Sequence, residues 1–182
     1  NIQDSLNFKG NIMKKIVLLL TTALFTFASP QSVDSDTSSV NFEVTKMFFI
    51  DVQGSFEKFS GTIEVEHGNL IAVNGVIQAT SVHTENEERD TNLNTEGFFN
   101  TNKYPSIIFA STKIEGTTLY ADVTVKGITQ NLAFKINHFS SDIAGSQLQL
   151  SSDVDRQDFG VNGTMGFAIT DIAHVTATLN SK

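Results

Sequence analysis

The 182-residue chain is 40% hydrophobic, sets 20 acidic against 12 basic side chains, and contains 15 Phe, no Trp and no Cys. That length and apolar content suffice for one domain with a substantial core, stabilised by packing and strand pairing because no disulfide can staple it. A net charge of −8 repels phosphate backbones and anionic headgroups, which argues against nucleic-acid binding and against polybasic membrane docking.

In chain order, the first feature is the stretch 13–28, "MKKIVLLLTTALFTFA": two lysines at Lys14 and Lys15, an apolar run from Ile16 to Phe27, then Thr26 and Ala28 at small-residue cleavage positions. The run is short for a membrane span and reads as a secretory signal cut after Ala28, with Met13 as the start and residues 1–12 as upstream sequence. The mature protein is then expected to be periplasmic or secreted and to have no stable membrane span. Removing Asp4, Lys9, Lys14 and Lys15 moves its charge from −8 to about −10. The Ser/Asp-rich segment 29–38 reads as a flexible tether, and 39–182 as the folded domain.

Two-residue alternation dominates the chain from residue 39 onward. Val40, Phe42 and Val44 alternate with Asn41, Glu43 and Thr45, and Ile63 and Val65 alternate with Thr62, Glu64 and Glu66. Leu119, Ala121, Val123 and Val125 repeat the pattern, then Leu132, Phe134 and Ile136, and finally Val175, Ala177 and Leu179. Period two with one apolar side means antiparallel sheet, packed on one face and wet on the other. Turn residues at 66–69, 115–118, 126–131, 140–146 and 161–164 fall between such runs and predict hairpins. The class is all-β, with about eight strands; closure into a barrel would remove exposed edges, and a sandwich is the alternative.

One segment interrupts the alternation. Thr84 and Glu87 stand at capping-box spacing, and Glu85, Glu87 and Glu88 place negative charge where a helix N-terminus favours it, which predicts a short helix over 85–94. Leu93 is its only large apolar residue, so the helix is expected to lie over one barrel end, with Phe98 and Phe99 turned inward. Pro105 then forces Tyr104 into extended backbone and starts the strand 106–114.

Local signatures of chemistry are sparse. His67, His83, His138 and His174 form no i,i+2 or i,i+4 pair, and there is no Cys to join them, so neither a metal site nor a cofactor is expected. The G-x-S-x-G, phosphate-loop, G-x-G-x-x-G and H-E-x-x-H patterns are absent, and the chain is expected not to be an enzyme. The acidic stretch Asp153, Asp155, Asp158 lacks the rest of a calcium loop and reads as a solvated turn. Asn162-Gly163-Thr164 matches a glycosylation acceptor but more simply makes a hairpin turn. An eight-stranded barrel can be filled by its own side chains or can hold one small apolar ligand, and the pattern allows both.

The stretch "SVHTENEERDTNLNTEGFFNTNKYPSIIFAST", residues 81–112, resembles the signature region of the YceI family: a Ser-x-x-Thr strand end, an Arg-Asp pair, a Phe-Phe, a Tyr-Pro and a Phe-x-Ser-Thr strand. "GSFEKFSGTI" (54–63), "LYADVTVKGITQNLAF" (119–134) and "DRQDFG" (155–160) agree in order. The resemblance implies a lipocalin-like antiparallel barrel that binds a long amphiphile, typically a polyisoprenoid or isoprenoid quinone, in its lumen. Family members commonly carry a Trp before the first strand and a His near its end, where this chain reads Thr45-Lys46-Met47. They also commonly place a His two residues after the Arg-Asp pair, where this chain has Asn92.

Candidate lumen residues are Phe42, Val44, Phe56, Phe59, Ile77, Phe109, Val123, Val125, Phe134 and Phe159, with Phe98 or Phe99 closing one end. Arg89 with Asp90, and Arg156 with Asp158, form the polar constellations. Each guanidinium either meets a ligand head group or pairs with neighbouring carboxylates to latch the cap and a hairpin. The expected function is an exported carrier or storage protein for an isoprenoid or similar lipid. The alternatives are an enzyme or chaperone acting on such a lipid and a filled barrel that binds a protein partner; a homodimer is also compatible.

Overall fold

The computed structural model describes residues 29–47, 49–163 and 169–182; the expected signal segment lies outside them. The strands are β1 (Ser29–Ser32), β2 (Ser39–Lys46), β3 (Ile50–Phe56), β4 (Phe59–Glu66), β5 (Asn69–Gln78) and β6 (Val82–His83), then, after the helix α1 (Glu87–Leu93), β7 (Ser106–Glu115), β8 (Thr118–Val125), β9 (Ile128–Asp142), β10 (Gly145–Asp155) and β11 (Ile172–Asn180). They form one 11-stranded sheet in the order β1-β4-β5-β7-β8-β9-β10-β11-β2-β3-β6, with antiparallel pairing throughout.

The order is open, yet the sheet must curl. β3 and β4 stand toward opposite ends of it, but only Glu57 and Lys58 separate them in sequence. A 3-10 turn at Ala79–Ser81 fastens this corner. Glu57 N donates to Ser81 O (3.1 Å), Lys58 N to Ser81 Oγ (3.0 Å) and Gln78 N to Lys58 O (2.9 Å). A barrel-like wall results, whose concave face collects the apolar member of each alternation.

Register carries that face from strand to strand. Phe59 stands opposite Ile77, which stands opposite Ile107; Phe109 faces Val123, Leu119 faces Phe134 and Ala121 faces Leu132. On the other flank Leu150 faces Ala177, Ala177 faces Val40, and Val44 faces Val52. Ile63, Leu119, Ala121 and Leu148 are fully buried and form the packed part of the interior. The β4–β5 turn shows why the hairpins close tightly: His67 and Gly68 have φ of 52° and 77°, the left-handed pair that matches the twist of its flanking strands.

Several expectations are corrected. Among the described residues eleven strands replace about eight, partly because β6 is too short to show a period. Segment 29–38 is not a free tether, since Ser29–Ser32 pairs with Val65–Thr62 of β4 and Val33 forms a bridge with Ser181. Asn162-Gly163 adjoins neither β10, which ends at Asp155, nor β11, which begins at Ile172; Gly163 N donates to Gly97 O (2.8 Å), and a Cβ there would sit 2.6 Å from the Phe98 ring. The helix covers 87–93, shorter than 85–94, and its cap is Asn86, whose Oδ1 accepts from Arg89 N at 2.9 Å. Glu85 adopts φ 58°, which breaks the helical register that Thr84 would have started.

Candidate functional site

The curled sheet encloses a cavity of about 640 Å³. Every lumen residue named from the alternation lines it. Phe42 and Val44 come from β2, Phe56 from β3, Phe59 from β4 and Ile77 from β5; Phe109 comes from β7, Val123 and Val125 from β8, and Phe134 from β9. Phe98 and Phe99 reach it from the loop after α1, and Phe159 from the 3-10 turn Arg156–Phe159. The rings support one another. Phe42 and Phe56 lie 5.6 Å apart, Phe56 meets Phe99 edge-on at 5.7 Å, and Phe109 meets Phe134 edge-on at 5.1 Å. Such contacts fix ring orientation beyond what area burial alone would do. Gly54, opposite Phe42, leaves the space its ring occupies: a Cβ there would stand 2.3 Å from Phe42 Cζ.

The sequence reading missed a second wall. Leu150 and Val154 of β10 and Val175, Ala177 and Leu179 of β11 also line the cavity. Their alternation is plain in the sequence: Leu150 and Val154 share the parity of Leu148, and Val175, Ala177 and Leu179 make a period-two apolar run of their own, while the pairing of Leu148 with Leu179 puts both on one face.

Where α1 covers the cavity, the lining turns polar, with Thr84, Asn86, Glu88, Arg89 and Asn92 beside Leu93. Thr84, itself buried, is the hub of this cap. Its Oγ1 donates to Asp90 Oδ1 and accepts from Arg89 Nε (2.7 Å), while Arg89 Nη2 donates to the Thr84 carbonyl. His83 Nδ1 stands 3.4 Å from the other Asp90 oxygen. The adjacent Arg89 and Asp90 therefore hold one threonine between them. Arg89 faces the cavity, whereas Asp90 is not among its lining residues.

Arg156 also borders the cavity and is buried, but its donors point elsewhere. Nη1 donates to the carbonyls of Val161 (2.6 Å) and Asn162 (3.0 Å), Nε to Thr170 O (2.9 Å), and Nη2 to Ile169 O (3.1 Å) and Asp171 Oδ1 (3.2 Å). The carboxylate expected from its neighbours is thus supplied by Asp171. Asp155 Oδ1 instead accepts from Gln157 N to cap the 3-10 turn, and the exposed Asp158 is not among the lining residues. Among the described residues no group of three or more His, Cys, Asp or Glu could hold a metal ion, and no helix is long and apolar enough to cross a membrane.

Comparison with known families matches residues 31–180 to the YceI-like domain. The chain belongs to the YceI-like family. Protein YceI of Shigella flexneri is 29% identical over 179 residues, covering 88% of this chain and 94% of that one. Two solved structures superpose well. BcnA of Burkholderia cenocepacia has a TM-score of 0.73 at 17% identity, over 82% of this chain and 99% of that one. A polyisoprenoid binding domain from Saccharophagus degradans, implicated in plant cell wall breakdown, has a TM-score of 0.65 at 15% identity, over 86% of this chain and all of that one. At those identities the structures speak for the fold alone, a barrel-like antiparallel sheet, and the family match carries the membership.

Proposed function

We propose that this protein is an exported carrier or storage protein that holds a long apolar amphiphile, such as a polyisoprenoid or isoprenoid quinone, inside its curled sheet in lipocalin-like fashion. The observation that carries the reading is the cavity itself. Its 640 Å³ lies within the range of about 300–1,000 Å³ of ligand sites, and its strand-borne wall is mostly Phe, Val, Leu and Ile. Family membership and the polyisoprenoid-binding neighbour support binding rather than catalysis.

Burying roughly 500 Å² of a prenyl chain would contribute on the order of 12 kcal/mol before association costs of about 4–15 kcal/mol, so the apolar wall can bind tightly with little help from a head group. Arg89 is our candidate for the head-group contact: it lines the cavity, as Lys46 and Arg156 do, and its Nε and Nη2 bond Thr84 at the capped edge.

Organic extraction of natively purified protein followed by mass spectrometry tests the reading. A prenyl or related long-chain lipid near one equivalent per chain is the expected result. An empty extract, with no rise in melting temperature on adding long prenyl or acyl compounds, refutes it. Export is tested separately, by recovering the native protein in the periplasmic or secreted fraction.

A further inference from the structure

The interior-facing side of β3 runs from Phe56 (8% exposed) through Val52 (9%) to Ile50 (45%), so the wall of the cavity continues outward into solvent at this end. β2 ends there too. Its last residue, Lys46, lines the cavity, pairs with Ile50 and bridges to Ile169, another lining residue. Immediately beyond Lys46 come Met47, 47% exposed, and Phe49, 78% exposed. Ile172, 48% exposed, opens β11, the strand beside β2. An exposed apolar tip thus begins one residue past the cavity wall.

Met47 sharpens the point. Its φ is 54°, a left-handed turn position that Gly or Asn fills at lower cost. A bulky apolar side chain held there, in water, is better accounted for by something outside the fold than by the turn.

We propose that Met47 and Phe49, between β2 and β3, form a membrane-docking tip by which the cavity exchanges its lipid with a bilayer; the exchange rests on the lipid-carrier reading above. An apolar cargo that leaves through water gives up the burial that holds it, whereas a rim seated in the bilayer interface passes it between two apolar phases. Phe and Met suit that interface, and Lys46 can lay its stem along the wall while its ammonium reaches the headgroup layer. A few side chains at a turn offer far less than the roughly 800 Å² per partner of a stable protein interface. The net charge of −8 selects against anionic membranes, so the surface it fits is zwitterionic.

The test compares the wild-type protein with the double variant Met47→Asn, Phe49→Ser; neither residue lines the cavity. Flotation with phosphatidylcholine vesicles reads docking, and a fluorescent polyprenyl probe reads uptake, once from vesicles and once from vesicle-free solution. The wild type is expected to float and the variant to float at least tenfold less, with uptake from vesicles slowed in proportion. Uptake from solution should be unchanged, and the melting temperature should hold or rise, since Asn fills the left-handed position of residue 47 at lower cost than Met. Equal flotation of both proteins, or none by the wild type while it still takes up probe from solution, overturns docking alone. Flotation without uptake from either source leaves docking standing and overturns the carrier reading. A wild-type dimer in sedimentation that the variant abolishes, with no flotation, assigns the tip to a second copy and overturns the proposal.

Discussion

Arg89 and Arg156 look alike in sequence, each beside carboxylates, and the structure separates them. Arg156 is buried and gives its donors to the carbonyls of Val161, Asn162, Ile169 and Thr170 and to Asp171, so it straps together two stretches of chain. Arg89 is half-buried and bonds Thr84 at the edge of the lumen. Arg156→Met should leave several buried carbonyls unpaired and lower stability by about 3 kcal/mol or more, read by urea denaturation. Arg89→Ala should cost about 1–2 kcal/mol, and isothermal titration with a prenyl phosphate against the parent prenyl alcohol reads its part in head-group affinity. A drop confined to the phosphate marks a head-group contact, and equal affinities mark a purely structural latch. The lumen residues were legible because period two marks one face of a strand whatever its neighbours are. The partners of the arginines were not: Arg156 is satisfied mainly by backbone carbonyls, which no residue type marks, and Arg89 bonds Thr84, whose spacing to Glu87 pointed to a helix cap instead.

A helix of 7 residues is too short to hold itself in water. α1 persists because Asn86 caps it and because Thr84 ties Arg89 and Asp90 to the strand end before it. Asn86→Ala should therefore cost about 1 kcal/mol and act locally, speeding amide hydrogen exchange over 87–95 while the protection of β8 and β9 stays unchanged. The sequence showed that a capped helix interrupts the sheet here, yet the Thr-x-x-Glu spacing chose the wrong cap. Glu85 departs into left-handed backbone, a deviation that pattern reading cannot foresee. β1 escaped for a similar reason: its Ser-Pro-Gln-Ser has no apolar period, and its pairing with β4 is what orders it.

At the scale of the molecule, the wall is a tight sheet and the lumen is its free volume. Ala177, between Val40 and Leu150 in register, is a small residue on that wall. Ala177→Phe should fill part of the 640 Å³, cut co-purifying lipid severalfold by mass spectrometry, and shift the melting temperature only slightly, because it grows into open space instead of a packed core. The fold class was legible in the alternation, but the curl was not, since it depends on the corner at Glu57 and Lys58 and on pairings remote in sequence. The seam is the extreme case. Val33 bonds Gly61 and bridges Ser181, while Gln31 accepts from both Ser146 and Ser181. The earliest described strand thus meets the residues that follow the last one. The β4–β5 pair and the run from β7 to β11 join strands consecutive in sequence, whereas β5 reaches β7 across β6 and α1 and the seam must bring together groups nearly a whole domain apart; such long closures slow folding. Synthesis from the N-terminus therefore leaves β1 without its partner Ser181 until β11 has been made, so closing of the seam waits on β11.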